Sequence, residues 1–509
     1  MKQAGLEQAG KPVPLSKRWT IGGICLILLI FVLHVWLYRN FFVDDAYITF
    51  RFVQQWVAGN GLVYNIGERV EGFSNLLWIV LLAPFEALGF NLVMTSKWLG
   101  FVLGLLTLFT TWRFGQRFDY PLIAPLLLVS TGAFVVWVMG GLETILFAFL
   151  IVLSCYTFVK EEERDSGWYS GILFGLLGLT RPEGLLFAGV AGLFRLWRLF
   201  QERKRPLPHD WFRLASFLLI TLLFFGWRYS YYGYLLPNTV YAKSMGLHPR
   251  VFIEGAFYTY RIFLSLGGLF FVLLPIILAL TDPHRDFVVS YLFANVACYL
   301  LFIFISGGDW MPLQRFAVHI LPLIYLLTAA GFSRFGKLWP NIPVRFLIVL
   351  LLIGQSLFLL MMSAEQHIVV GEGRTTSLVR DNQNDLAYLL SVVDANDTIA
   401  VTDAGIYAYV LPLDVRVVDI VGLTNEHIAH LEPQFPHGLF GHGDAFGKWD
   451  VDYILAQNPK LVQVTALSSG DNGEWQTNFT GTEALINDSR FLAGYKHTEF
   501  DFFERIETE

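Results

Sequence analysis

Apolar stretches dominate the first 362 residues. They fall near 19–38, 74–90, 96–115, 121–138, 141–159, 168–180, 184–200, 212–232, 262–281, 286–305, 316–333 and 343–362. Runs of about 20 apolar residues are long enough to cross a bilayer as helices. The pattern predicts a mainly α, polytopic membrane protein with about 11–13 membrane helices. The first run, WTIGGICLILLIFVLHVWLY (19–38), is long for the apolar core of a signal peptide and has no small-residue cleavage site. It therefore predicts a retained membrane helix, preceded by a polar cytoplasmic N-terminus over 1–18. From about residue 363 the pattern changes. DTIAVTDAGIYAYVLPLDVRVVDIVGL (397–423) alternates short β-branched runs with a helical stretch, and KLVQV (460–464) reads as another strand. A soluble α/β domain over 363–509 follows, of ordinary single-domain size.

The polar connections set the sidedness. RFGQR (113–117), KEEER (160–164), RLFQERKR (198–205), DPHRD (282–286) and SRFGK (333–337) are basic or mixed, as is the N-terminus. Placing all of them in the cytoplasm lets every run from 96 onward alternate without conflict. GGLET (140–144), RPEG (181–184), YYGYLLPNTVYAK (231–243), SGGDWMPLQR (306–315) and the C-terminal domain then face the extracytoplasmic side. So does the first external loop, 39–75. The run at 74–90 breaks the count if it spans. It is short and holds Pro84 and Glu86, so it is expected to be re-entrant or interfacial, leaving about eleven crossings.

Composition agrees. The chain of 509 residues is 55% hydrophobic, 16% aromatic and 15% charged, with a mean hydropathy of +0.51. Charge is uneven: residues 363–509 hold 23 acidic and 8 basic side chains, while residues 1–362 hold 19 and 28. An acidic tail argues against nucleic-acid binding. Cys25, Cys155 and Cys298 all lie in apolar runs and read as small buried hydrophobes, with no disulfide framework or zinc motif.

Against this background, FFVDDAYITFRFVQQWVAGNGLVYNIGERVEGFSN (41–75) is unusually charged. Asp44 or Asp45 suits the N-cap of a helix reaching about Ala58. Ile48, Phe52 and Trp56 give that helix an apolar face opposite Arg51, Gln54 and Gln55, as expected of a helix on the membrane surface. Only one aspartate is needed as a cap. Glu68, Arg69 and Glu71 follow, as a solvated loop or as part of a polar site. The other external connections bring Glu143, Arg181, Glu183, Asn238, Lys243, Asp309, Arg315 and His319 to the same membrane edge. Acidic and basic groups gathered on one face suit a site that holds a hydroxyl and an anionic phosphate. NEHIAHLEPQFPHGLFGHGD (425–444) carries His427, His430, His437, His442 and Asp444, but at spacings that match no closed metal motif. A mobile or substrate-covering loop is the preferred reading there. No Gly-rich phosphate loop, His-Glu-x-x-His helix or nucleophile elbow is present.

The block DDAYITFRF…GNGLVYN.GERVEGFSN.LW resembles the N-terminal signature of GT-C glycosyltransferases in the branch containing terminal arabinofuranosyltransferases. LTRPEGLL, YYGYLLPNTVYAK, GGDWMP..R and VTDAGIYAYVLPLDVRVVDIVGLTN resemble later blocks, so the likeness runs from about residue 40 to 425. The resemblance implies a GT-C membrane module with a catalytic first external loop, a polyprenyl-phosphate sugar donor, a glycan, glycolipid or protein acceptor, and catalysis by Asp44, Asp45 or both. It does not fix the sugar.

The chemistry matches that placement. Transfer needs a base for the acceptor hydroxyl, cations for the departing phosphate, and a position beside the bilayer that holds the donor's lipid. Asp44 or Asp45 answers the first need, with Asp44 slightly preferred. Arg69, Arg181, Lys243 and Arg315 answer the second, and Glu71, Asp309 and His319 complete the expected binding set. No metal site is assigned, although carboxylates meeting a phosphate would also suit a divalent cation. The rival readings are a polytopic transporter of a lipid-linked or soluble sugar, an oligosaccharide ligase using a lipid-diphosphate donor, and a non-catalytic sensor. Polar groups gathered on one face rather than at the midplane, and the lack of an inverted repeat, disfavour the transporter.

Overall fold

A computed structural model describes residues 17–244, 248–267, 269–282, 287–309, 311, 313–339, 342–371, 383–434, 447–469, 475–477 and 479–506. The expected cytoplasmic segment before residue 17, and His437, His442 and Asp444, lie outside the described residues.

The chain is mainly helical, with a C-terminal sheet. Helix α1 is Lys17–Leu37, α2 Asp45–Val57, α3 Leu76–Ala87, α4 Leu92–Gly115, α5 Ile123–Ser130, α6 Gly132–Met139, α7 Thr144–Arg164 and α8 Tyr169–Thr180. Then come α9 Leu185–Glu202, α10 Pro208–Tyr232, α11 Asn238–Lys243, α12 Pro249–Ser265, α13 Leu274–Leu280, α14 Phe287–Ser306, α15 Arg315–Leu338 and α16 Ile342–Gly371. Among the described residues, six helices are long and apolar enough to cross a membrane: α1, α4, α7, α10, α14 and α15. The protein is a multi-pass membrane protein. Helix α15 runs through its centre, with every residue from Arg315 to Ser333 buried.

Several apolar runs are broken. The run at 121–138 is two helices that meet at Thr131, and α8 and α9 are separated by a short 3-10 turn at Pro182–Gly184. A proline cannot continue the hydrogen-bond ladder, so Arg181 and Glu183 are presented at a break rather than along a helix side. At 12 residues, α3 spans only about 18 Å, against about 30 Å of hydrocarbon. Close helix approach depends on small residues. A Cβ at Gly331 of α15 would stand 2.0 Å from the carbonyl oxygen of Pro275 in α13.

At one end of the bundle, the mixed-charge connections form a buried ion-pair network. Arg195 pairs with Glu162 (3.0 Å) and Asp210 (2.8 Å), and Arg213 pairs with Glu161 (3.1 Å) and Glu162 (2.8 Å). These pairs tie α7, α9 and α10 together.

In the C-terminal domain, β1 is Thr398–Val401, β2 Arg416–Asp419, β3 Leu461–Gln463, β4 Ser468–Ser469, β5 Trp475–Gln476, β6 Tyr495–His497 and β7 Phe502–Arg505. The main sheet has the order β2-β1-β3-β7-β6. Strands β1, β2 and β3 pair in parallel, whereas β7 pairs antiparallel with β3 and β6. Helix α17 is Gln383–Val392, and α18, Ile406–Val410, links β1 to β2; α19 is Glu426–Ala429 and α20 Val451–Ala456. Alternation along each strand sorts two cores. Ile399, Val401 and Val417 join one core continuous with the membrane module, while Ala400, Val418 and Val462 pack a second core on the other face.

The 39–75 loop lies between module and domain. Helix α2 packs on α3 on one side and α18 on the other. Its polar face does not lie at a membrane surface, which corrects that expectation. Arg51 and Gln55 are fully buried. The Arg51 guanidinium donates to the carbonyl oxygens of Tyr64 (3.0 Å), Ala408 and Val415 (2.8 Å), and Gln55 donates to Leu413 O (2.8 Å). Asn65 pairs with edge strand β2 as a strand neighbour would, donating to Val417 O (2.9 Å) and accepting from Val417 N (2.9 Å). The polar residues that the helical pattern assigned to water are the ones that dock the domain, because buried carbonyls at loop ends need donors.

Candidate active site

The two aspartates part ways. Asp44 is in the N-cap position of α2, yet its side chain makes no bond to that helix. Its carboxylate accepts from Gly405 N (2.9 Å) and Ile406 N (2.7 Å), capping α18 of the C-terminal domain instead. A Cβ at position 405 would stand 2.2 Å from Asp44 O and 2.3 Å from Asp44 Oδ2, so glycine permits the contact. Burial, then the neighbouring Asp403 and Asp45 carboxylates, push Asp44 well above the ordinary carboxylate value, against the pull of the two backbone donors.

Asp45 looks the other way. Burial raises its pKa, Lys243 and Arg315 oppose that rise, and Asp309 and Glu143 reinforce it. It is partly exposed, as is Asp44. Lys243 closes α11; its side chain is accessible to solvent, yet the surrounding protein holds its ammonium below the ordinary value while Asp45 draws it up.

Around this pair, several of the helix connections converge. Arg315, the first residue of α15, grips Asp309 with two bonds, 2.7 and 3.1 Å. Arg181, at the α8–α9 break, donates to Glu143 (2.6 Å) and also pairs with Glu183. Asn75 donates to Glu143 (2.8 Å) and Thr49 (3.2 Å), joining the end of the first external loop to the start of α7. Arg181 and Arg315 both lie against the Phe316 ring, 5.3 and 5.7 Å from its centroid. His319, one turn into α15 on the Arg315 face, is fully buried; its Nδ1 lies 2.6 Å from the Tyr299 hydroxyl. Such fork-like pairings fix guanidinium planes better than solvent could.

Two of the sequence-assigned residues are not brought to this cluster. Arg69 is exposed, lies 4.8 Å over the Tyr231 ring, and lines a separate cleft with Glu68. Glu71 is buried against Arg228 (2.8 Å), a pairing of loop with α10, and its backbone carbonyl accepts from Asn238 N (3.0 Å). Burial raises the Glu71 carboxyl to about 7, with Arg228 pulling it down. Asn238 itself donates to Gly422 O (3.0 Å) and Leu423 O (2.9 Å), a docking role.

Asp403 went unassigned in the sequence. It follows β1, at the carboxyl edge of the parallel strands where α/β domains present ligand groups. Burial raises its pKa, Thr465 lowers it, and Asp45 and Asp501 add to the rise. Asp403 was legible only as part of VTDAG; nothing in the chain showed that it would face Asp44. Of the candidate histidines, His427 bonds Asp450 (2.8 Å) and His430 stacks on Tyr241 (4.4 Å between centroids), so neither faces the other as a metal pair. Among the described residues, no three His, Cys, Asp or Glu side chains converge as a metal site.

Relatives bear on this arrangement. A family described as a domain of unknown function, DUF8728, matches residues 376–503, the C-terminal domain. The chain is 30% identical over 226 residues to a terminal β-(1→2)-arabinofuranosyltransferase of Mycobacterium tuberculosis, covering 40% of this chain and 35% of that protein. It is 25% identical over 247 residues to the Corynebacterium glutamicum protein of the same name, covering 40% and 33%. The chain thus spans about a third of the length of these curated relatives. Its fold matches ArnT from Cupriavidus metallidurans, solved bound to undecaprenyl phosphate, with a TM-score of 0.54 and 12% identity over 79% of this chain and 86% of that one. The chain therefore carries the GT-C glycosyltransferase fold and is similar in sequence to the terminal arabinofuranosyltransferases.

Proposed function

We propose that this protein is a membrane glycosyltransferase that moves an arabinofuranosyl unit from a polyprenyl-phosphate donor to a glycan acceptor. The observation that carries the reading is the meeting of the paired Arg181–Glu143 and Arg315–Asp309 at the ends of membrane helices, where Arg315 and Lys243 act electrostatically on Asp45. The relatives' name supplies the sugar, and the undecaprenyl phosphate held by ArnT supplies the class of lipid.

In the step we infer, the Asp45 carboxylate takes the proton of the acceptor hydroxyl as its oxygen attacks the anomeric carbon. The bond from that carbon to the phosphate oxygen breaks, and its electron pair leaves with the polyprenyl phosphate. A single displacement of this kind inverts the anomeric centre. The charge balance favours it. Asp45 loses its negative charge as the phosphate gains one, so Lys243 and Arg315 exchange one anion for the other without moving far. Arg181 and Arg315 are held in place by Glu143, Glu183 and Asp309, which limits reorganisation. Asp44 acts at one remove, fastening the C-terminal domain over the site through Gly405 and Ile406.

The charge pattern of the loops supports a cytoplasmic N-terminus and an extracytoplasmic site. Purified protein in detergent, incubated with a panel of polyprenyl-phosphate sugars and an arabinan acceptor, should release polyprenyl phosphate from the arabinofuranosyl donor. No release from any donor, together with gradient-driven sugar uptake in vesicles, would replace this reading with the transporter.

A further inference from the structure

A cavity of about 740 Å³ is lined by none of the residues of the Asp45 cluster, and the transfer step makes no use of it. Three parts of the chain form it: the 67–70 turn of the first external loop, Tyr234 just after α10, and residues 425–431 with Tyr453 of the C-terminal domain. Its walls are aromatic. His427 stacks on Tyr453 with centroids 4.1 Å apart and planes 18° apart, and His430 lies between Tyr234 (4.7 Å) and Tyr241 (4.4 Å). Polar groups fix these rings and line the cavity. The Tyr234 hydroxyl donates to Glu426 (2.6 Å), Asp450 holds His427 (2.8 Å), and Glu68 and Arg69 stand on the opposite side.

Flat rings beside fixed donors and acceptors suit a polyhydroxylated ring. Its C–H face packs on an aromatic plane while its hydroxyls pair with carboxylate and guanidinium. The charges disfavour an anion: Glu68 and Glu426 line the cavity with Arg69, and Arg416 pairs with Glu68 from outside the lining. The cavity also adjoins the reacting centre. Tyr241 and Lys243 lie two residues apart on α11, about 200° around a helix. Tyr241 stacks on His430 of the cavity wall and Lys243 acts electrostatically on Asp45, so one short helix touches both places.

We propose that this cleft binds a saccharide unit of the acceptor glycan set back from the attacked hydroxyl. The proposal rests on the glycosyltransferase reading for the word acceptor, but its binding test does not. Full-length protein in detergent is titrated with an arabinofuranose tetrasaccharide by calorimetry. The wild type and Asp45→Asn should bind alike, while Tyr453→Ala and Arg69→Gln should each weaken binding about tenfold. Tyr453→Phe, which keeps the platform, should bind as the wild type does and so exclude misfolding as the cause. In the transfer assay, the same two weakened variants should raise the KM for the tetrasaccharide about tenfold, with kcat and the KM for a monosaccharide acceptor unchanged. A wild type that does not bind the tetrasaccharide, or cleft variants that bind it as tightly as the wild type, would overturn the proposal. Tight binding without transfer by the wild type would instead fault the transferase reading and leave the cleft standing.

Discussion

Adjacent carboxylates with different partners make a sharp test. Asp45→Asn keeps the shape of a partly exposed side chain and removes a proton acceptor. Loss of a positioned general base costs about 10²–10⁴-fold in rate, so single-turnover release of polyprenyl phosphate should fall by that factor with the fold intact. Asp44→Asn has a different cost. Its amide keeps one acceptor oxygen, so one of the two donors, Gly405 N or Ile406 N, loses its partner. A buried donor left unpaired beside a lost charge-assisted bond costs about 1.5–3 kcal/mol. Removing a carboxylate raised by burial and by Asp403 offsets part of this. Many other bonds hold the domain down, so the rate should fall by less than about tenfold, while amide exchange at 405–410 should rise. The pH profile supplies a second reading. A raised carboxyl must ionise before it can accept a proton, so activity should fall on the acid side at a pH above the ordinary carboxylate range, and Asp44→Asn should retain that limb. If Asp44→Asn is inactive with exchange at 405–410 unchanged, while Asp45→Asn keeps most of its rate, the two roles are reversed and the reasoning fails.

Other perturbations read different parts of the molecule. Arg51→Met removes three bonds to buried carbonyls, two of them across the domain boundary, and should cost roughly 3–6 kcal/mol of docking; limited proteolysis in the 405–425 region checks this, and wild-type resistance would refute it. Glu71 has a folded pKa raised from 4.5 to about 7, so its contribution is fully present below about 4.5 and is lost as pH rises through about 7. Thermal unfolding in detergent should therefore show a lower Tm at pH 8 than at pH 5.5, and Glu71→Gln should flatten that slope; an unchanged slope would exclude Glu71 as its source. Arg315→Lys replaces a two-bond fork with a point charge and should lower kcat by about 10²-fold with little loss of fold. A cysteine near Phe90, labelled from the cytoplasmic side, would show that α3 crosses the membrane and overturn the proposed sidedness; extracytoplasmic labelling is expected.

Much of the site was legible because its residues lie where apolar runs stop. Arg181 and Arg315 stand at the ends of apolar runs, where a charge needs a partner. The partners are in the structure: Glu143 with Glu183 for Arg181, and Asp309 for Arg315. Arg69 and Glu71 misled, because proximity along a loop does not decide which way a side chain faces. One lines the aromatic cleft, and the other is buried against Arg228. Arg51 misled in the opposite sense. A polar helix face reads as solvated until the domain 350 residues later is known to cover it.

The sequence by itself determined what depends on local composition: a membrane module of apolar helices, a C-terminal segment with short strands, and an unusually charged stretch after the first apolar run. Those follow from transfer energies and periodicity, which each segment carries alone. Only the tertiary structure decided the separate partners of Asp44 and Asp45, the entry of Asp403 into their neighbourhood, and the cleft beside α11. These depend on contacts between segments hundreds of residues apart, such as Asp44 with Gly405. A carboxylate's role is set by the donors and charges around it, and no single segment contains them.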